Sequence, residues 1–379
     1  MTTRWQVCAS RPVDYAVIQA PQLFARDNPL LAEFGRGAGS RRFVVVDDAV
    51  QRLYGQRIRA WFQAHGIDAR LVPFVGGEDN KTVYAWRALA RQLENFPIHR
   101  RDEPILAIGG GVLTDVVAFL AATHRRGVPH IKIPTTLMGY VDAAIGIKCG
   151  VNFEGAKNRL GAFEPPLAVL LDAGFLASLP MRHLRNGMGE IVKLAVIRDA
   201  ALFRALEVAG ADSLATRFAT AAGQHLLDTA VEGMLQELTP NLYEDELARK
   251  VDFGHTFSYG LEALHADRLL HGEAVLLDVL VSVAVASGRG LLPAGAAHRV
   301  FALVDALGLA PDIGLLSGEA MWAAVQDRIL HRNGRQRIPM PTAIGECTFV
   351  DDIHPAELAS AIPFLRARFQ ERHERTVEC

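Results

Sequence analysis

The stretch Ile105-Leu106-Ala107-Ile108-Gly109-Gly110-Gly111-Val112-Leu113-Thr114-Asp115 places an apolar strand directly before three glycines and the start of a helix. Four consecutive apolar residues closed by glycine suit a strand covered on both faces, and such strands belong to parallel sheets. Three glycines let backbone N–H groups approach a pyrophosphate, and a helix N-terminus adds partial positive charge for it. The order Gly-x-Gly-x-x-Gly is missing, so the usual dinucleotide fingerprint is absent. A tight strand-to-helix turn accounts for the glycines equally well.

Working outward, residues 43–46 form an apolar strand ending at Asp47-Asp48, residues 56–65 are amphipathic at helical spacing, residues 69–74 are strand-like and residues 84–94 helical. Strand and helix in alternation predict an α/β domain with a parallel sheet covered on both faces. Ligands of such sheets sit at the carboxyl ends of the strands, here Asp47, Gly76-Gly77-Glu78 and the triple glycine. Asp47 suits a ribose hydroxyl, and it equally suits an exposed turn. Beyond Pro180 the pattern becomes helical, over residues 187–196, 200–208, 214–238, 255–264, 273–286 and 296–307. Short extended pieces follow at 337–341 and 347–350, then a last helix from Pro355 to about Arg372. The seam between Pro165 and Pro180 predicts two domains, residues 1–170 and 171–379.

With Lys+Arg 40 against Asp+Glu 42 in 379 residues, the chain lacks the charge footprint of a general nucleic-acid binder. Residues 105–122 hold three glycines and Asp115, and residues 274–286 hold Asp278, so neither reads as a membrane span. The first residues lack the apolar core of a secretory signal, and Cys8, Cys149, Cys347 and Cys379 lack metal-type spacing. A reduced, cytoplasmic chain is the expectation. Neither a nucleophile elbow nor a Walker loop is present.

Three further segments could carry chemistry. Ile131-Lys132-Ile133-Pro134-Thr135-Thr136 leads into a glycine-rich stretch holding Asp142, Lys148, Asn152, Lys157, Asn158 and Arg159. This mixture suits a phosphorylated, polyhydroxylated substrate; a solvated loop would seldom include Ile145, Ile147, Val151 and Phe153. Glu190 and Lys193 lie at i and i+3 on one helix face. With His255 and His271, Glu190 matches a divalent-metal site that keeps open positions. The histidines are sixteen residues apart among 13 in the chain, so surface or capping roles fit them as well. The segment 327–337 is a charged turn, solvated or anion-binding.

Taken in order, Gly76-Gly77-Glu78-Asp79-Asn80-Lys81-Thr82, the triple-glycine turn with Thr114-Asp115, Pro134-Thr135-Thr136-Leu137, Asp142, Lys148, Lys157-Asn158, Gly187-Met188-Gly189-Glu190-Ile191-Val192-Lys193, Phe253-Gly254-His255-Thr256 and His271-Gly272-Glu273-Ala274-Val275 resemble the sugar phosphate cyclases, the superfamily of dehydroquinate synthase. The match runs from about Phe43 to Ile344. The resemblance implies an α/β N-terminal Rossmann-like NAD-binding domain, a mainly α-helical C-terminal metal-binding domain and an active site between them. It implies that Asp47, Glu78, Lys81, Gly110, Gly111, Asp115, Thr135 and Thr136 hold NAD, and that Glu190, His255 and His271 bind zinc or cobalt. Asp142, Lys148, Lys157, Asn158 and Lys193 would contact substrate. Family members are commonly homodimers, and Arg126 resembles an arginine that reaches the neighbouring subunit's substrate phosphate.

Dehydroquinate synthases carry an asparagine where Asp252 stands, a second histidine where Tyr259 stands, an arginine at the position of Ala248 and a double-lysine turn where this chain has the segment of His331. These departures, with Asp252 and His331 as a pair, resemble the 2-epi-5-epi-valiolone synthase branch, which acts on sedoheptulose 7-phosphate. The resemblance implies transient oxidation by NAD, phosphate elimination, reduction and aldol closure, with Asp252 and His331 recognising hydroxyls. The alternatives are another sugar phosphate cyclase, including a 2-epi-valiolone, demethyl-4-deoxygadusol or 3-dehydroquinate synthase, and a metal-dependent NAD alcohol dehydrogenase.

Overall fold

The computed structural model describes residues 2–309 and 311–377. The chain forms two compact units: Met1–Ile108, Val112–Ile133 and Ile147–Leu171 make the first, and Gly109–Gly111, Pro134–Gly146 and Asp172–Cys379 the second. The chain therefore passes into the second unit for the last time after Leu171.

The first unit carries strands β1 (Ala16–Gln19), β2 (Arg41–Asp47), β3 (Asp68–Phe74), β4 (Ile105–Gly109), β5 (His130–Pro134), β6 (Lys148–Phe153), β7 (Ala156–Phe163) and β8 (Ala168–Leu171). Six of them form one sheet in the order β1-β8-β5-β4-β2-β3. β2 pairs in parallel with β3 and β4, and β8 with β5 and β1. All of β4 and β5 is buried, as a strand covered on both faces requires, whereas edge strand β1 is only partly so. Helices α1 (Asp48–Ala64), α2 (Val83–Glu94) and α3 (Gly111–Thr123) alternate with the strands. Phe43, Val45, Phe74, Leu93, Ile105 and Val117 belong to one core cluster between sheet and helices.

The predicted strands and the alternating α/β order are present, with two differences. Helix α1 starts at Asp48 rather than near residue 56, because Asp47 caps it: its Oδ1 accepts from the N–H of Ala49 and Val50 at 2.9 and 3.3 Å. Leu53, 63% exposed, breaks the apolar stripe that would have announced this first half. The glycine-rich stretch, which the sequence gives no secondary structure, is the antiparallel hairpin β6–β7. Gly150 and Gly161 face each other there, and a Cβ on either would come within 2.6 Å of a carbonyl oxygen of the other strand.

The second unit is mainly helical: α4 (Met181–Ile197), α5 (Ala200–Ala215), α6 (Ala221–Leu238), α7 (Ser258–Leu264), α8 (His271–Gly288), α9 (Ala294–Ala306), α10 (Gly318–His331) and α11 (Pro355–Val377), with the antiparallel pair β9 (Ile338–Ala343) and β10 (Glu346–Val350). The single helix expected over 214–238 is two. Arg217 and Phe218 adopt left-handed backbone, and Thr220 caps α6 by accepting from Gly223 N–H. His255 precedes α7 instead of lying within it. The charged turn expected at 327–337 is partly helix, since Asp327 to His331 complete α10.

By length and composition α8 could cross a membrane, but 78% of it is buried inside the protein. Cys8, Cys149 and Cys347 are free thiols, and Cys379 lies outside the described residues.

Candidate functional site

In the first unit, the predicted cofactor residue Lys81 is buried, which is costly for an ammonium unless it is answered. Its Nζ lies 2.5 Å from Asp115 Oδ2 and 2.6 Å from Asn158 Oδ1. Burial opposes its charge, yet the carboxylate of Asp115 outweighs burial and raises the pKa above the ordinary 10.5. Asn158 takes left-handed backbone within β7, and its N–H donates to Asn152 Oδ1 at 2.9 Å. Asn152 Nδ2 in turn donates to Glu78 Oε1 at 2.9 Å. The structure thus links Glu78, Lys81, Asp115 and Asn158, which the sequence presents in three separate motifs. Lys148 is exposed and Lys157 half-buried on the same hairpin. Arg126 is exposed in a one-turn helix (His124–Arg126) with left-handed backbone.

In the second unit, Gly110 and Gly111 belong with residues 134–146. The N–H of Thr135 donates to the carbonyl of Gly109 at 3.0 Å, and Thr136 Oγ1 accepts from Gly139 N–H at 3.1 Å. A Cβ on Gly111 would stand 2.9 Å from Ala143 Cβ, so the turn is tight in its own right. Asp142 lies in a π-helical turn (Gly139–Ala143).

The predicted metal residues come together. One ligand atom from each of Glu190, His255 and His271 lies within 4.8 Å of the others. Glu190 projects from α4, and His271 is the first residue of α8. These helices approach at glycine: a Cβ on Gly189 would stand 2.5 Å from the carbonyl oxygen of Gly272, and one on Gly272 would collide with that of Asn186. Asn186 Oδ1 accepts from Gly272 N–H at 2.7 Å, which sets the start of α8 beside α4.

The Nε2 atoms of His255 and His271 are 3.2 Å apart, and Glu190 Oε1 is 3.6 and 3.5 Å from them. A tetrahedral ion with bonds of about 2.0–2.1 Å needs ligand separations of roughly 3.3 Å, so the three donors fit one. His271 Nδ1 lies 3.0 Å from Glu262 Oε1 and His255 Nδ1 3.3 Å from the Phe253 carbonyl oxygen. Those partners occupy each Nδ1 and leave each Nε2 facing the centre.

Electrostatics agree with that geometry. Both Glu190 oxygens are buried and accept no aligned hydrogen bond, although Lys193 Nζ is 2.5 Å from Oε2. Burial alone would raise Glu190, but Lys193 and both imidazoles hold its carboxyl well below the ordinary range. Burial lowers His255 to about 3. His271 is raised to about 10, because the carboxylates of Glu262 and Glu190 outweigh its burial. Two neighbouring imidazoles thus differ in charge, an arrangement that an added dication would relieve. Lys193, wholly buried, is likewise raised: Glu190, Asp142 and Asp252 outweigh desolvation.

Asp252, 4% exposed, is held by three guanidiniums: Arg249 and Arg332 contact it, and Arg328 Nη2 donates to Oδ2 at 2.9 Å. Arg328 also donates to the carbonyl of His255 at 3.3 Å. His331 is exposed on the last turn of α10 and faces Asp327 at 3.5 Å. The arginine clamp, Glu262 and Asp278 were missed in the sequence. The available signal for Asp278 was one acid in an otherwise apolar run.

Comparison with known proteins matches residues 71–186 to the 3-dehydroquinate synthase N-terminal family and residues 187–328 to its C-terminal family. The chain is 46% identical to a 2-epi-5-epi-valiolone synthase of an Actinoplanes species, over 94% of this chain and 92% of that one. It is 44% identical to a protein of the same name from Streptomyces albus, over 94% and 89%. Among solved structures, ValA, a 2-epi-5-epi-valiolone synthase from Streptomyces hygroscopicus subsp. jinggangensis with NAD+ and Zn2+ bound, matches with a TM-score of 0.92 at 41% identity, over 96% of this chain and 100% of that one.

Proposed function

Because the chain belongs to the 3-dehydroquinate synthase family, we propose that it is a sedoheptulose 7-phosphate cyclase, a lyase that forms 2-epi-5-epi-valiolone and phosphate and acts as a cytoplasmic homodimer. The convergence of Glu190, His255 and His271, in a chain so similar to 2-epi-5-epi-valiolone synthases, supports this function.

Glu190, His255 and His271 would hold zinc or cobalt; Asp47, Glu78, Lys81, Gly110, Gly111, Asp115, Thr135 and Thr136 would hold NAD. Asp47 and Gly109 close β2 and β4, the strands flanking the point where the sheet order reverses, where ligands of such sheets bind. When bound, the two groups supply a reusable hydride acceptor and a Lewis acid, so the net redox change is nil.

The chain's own side chains supply charge and position. Lys193 stays protonated at neutral pH, so it stabilises developing negative charge on a substrate oxygen and does not act as a base. Asp142 helps keep that ammonium charged and orients hydroxyls. Lys148 adds positive charge for the enolate. Lys157, Asn158, His331 and Arg126 of a second copy offer donors to phosphate. Asp252, fixed by its arginines, and His331 discriminate the hydroxyls that set the stereoisomer.

The test incubates purified protein, NAD and cobalt or zinc with sedoheptulose 7-phosphate, and separately with the precursor of dehydroquinate. Phosphate release from the heptulose alone, without NADH in solution, is the expected result, and NMR of the product identifies the epimer. Release from the other substrate alone would overturn the assignment. Stoichiometric NADH would instead indicate a dehydrogenase.

A further inference from the structure

Asp278 lies two helical turns beyond His271 on α8, among the wholly buried Val275, Leu277, Val279 and Val281, and is itself 0% exposed. An acid there is retained only if its oxygens are bonded. One oxygen, Oδ2, accepts from three consecutive backbone N–H groups, those of Thr256, Phe257 and Ser258, at 2.8, 2.5 and 3.0 Å. The other accepts from Ser282 Oγ at 3.1 Å. The three amides open α7 and have no partner within that helix. His255 immediately precedes them.

The connection also runs back. Glu262, on α7 and 3% exposed, holds His271 Nδ1 of α8 at 3.0 Å. Thus α8 fixes α7 through Asp278, and α7 fixes the first residue of α8 through Glu262. The two imidazoles that face each other at 3.2 Å sit on opposite sides of this closed circuit.

We infer that Asp278 is a positioning residue for the metal centre: it sets the turn that presents His255 and, through α7, the carboxylate that orients His271. The inference rests on the metal-binding reading of Glu190, His255 and His271, but its first consequence is measurable without metal.

The variants are Asp278→Asn, which keeps shape and one acceptor oxygen, and Asp278→Leu, which removes the acceptor. In metal-free protein, hydrogen exchange at Thr256, Phe257 and Ser258 is slow in the wild type and at least about tenfold faster in Asp278→Asn. Co2+ affinity, read by equilibrium dialysis and visible absorption, falls about tenfold in Asp278→Asn and about a hundredfold in folded Asp278→Leu. With saturating Co2+, Asp278→Asn recovers most of the wild-type kcat. Unchanged exchange at the three amides overturns the inference, as does faster exchange with unaltered Co2+ affinity and spectrum. Global unfolding of the near-isosteric Asp278→Asn also overturns it, since the residue would then hold the unit and not the turn. If Glu190→Ala binds Co2+ as the wild type does, the metal reading fails instead, while the exchange rates still report whether Asp278 holds the turn.

Discussion

Lys81 in the first unit and Lys193 in the second are both buried, and each places its ammonium 2.5 Å from a carboxylate. Their surroundings differ. Around Lys81 the charges close on themselves: Asp115 neutralises it, Asn158 accepts a second bond, and Asn152 ties the hairpin to Glu78. Around Lys193 they do not, because Glu190 Oε1 also lies 3.6 and 3.5 Å from the Nε2 atoms of His255 and His271. The same kind of ion pair is therefore answered by neighbouring hydrogen bonds in one place and stands beside two imidazoles in the other.

The sharpest way to break this contrast is Glu190→Ala. Zinc or cobalt at a thousand times its dissociation constant should stabilise the wild type by about 4 kcal/mol, seen as a rise in Tm. Glu190→Ala should show no such rise and no phosphate release. Retention of both would remove the metal centre from the comparison.

Next in size, Lys81→Met should cost about 3 kcal/mol in urea denaturation, because it strands the carboxylate of Asp115. Adding Asp115→Asn should recover much of that loss, as in a closed pair, and strictly additive losses would contradict closure. The pKa of Lys81 is raised above 10.5, so the pair's contribution is complete below 10.5 and lost as pH climbs through the raised value. The cost of Lys81→Met should therefore stay flat from about pH 6 to 9.

Asp252→Asn should cost less, about 2 kcal/mol, because three arginines lose their shared anion while retaining other acceptors. Because the clamp is buried the loss should change little with salt, and a loss that vanished at high salt would argue against a buried ionic clamp. The smallest effect concerns Cys149 in the first unit. Burial pushes its thiol up to about 11, so at pH 8 a disulfide reagent should label exposed Cys8 and leave Cys149 untouched until the protein unfolds.

Much of the first unit was legible because buried parallel strands announce themselves as short apolar runs, as residues 43–46 and 105–108 do. The hairpin β6–β7 was not. Its many glycines hide the strand pattern until Gly150 and Gly161 are seen facing one another across the ladder. In the second unit helical character was clear, but the break at 216–220 was hidden. Arg217 and Phe218 carry its left-handed backbone, and neither residue type signals a turn.

The sequence by itself determined the alternation of strands and helices, the switch to helices after Pro180 and, through the order of its motifs, the family. Local periodicity and short motifs record those properties along the chain. Through the resemblance the sequence also named Glu190, His255 and His271 as one set, and the tertiary structure brings their ligand atoms within 4.8 Å; only the tertiary structure decided that three arginines surround Asp252 and that an acid in an apolar helix holds the turn bearing His255. Each depends on the distance between side chains far apart in sequence, set by close contacts such as that of Gly189 with Gly272.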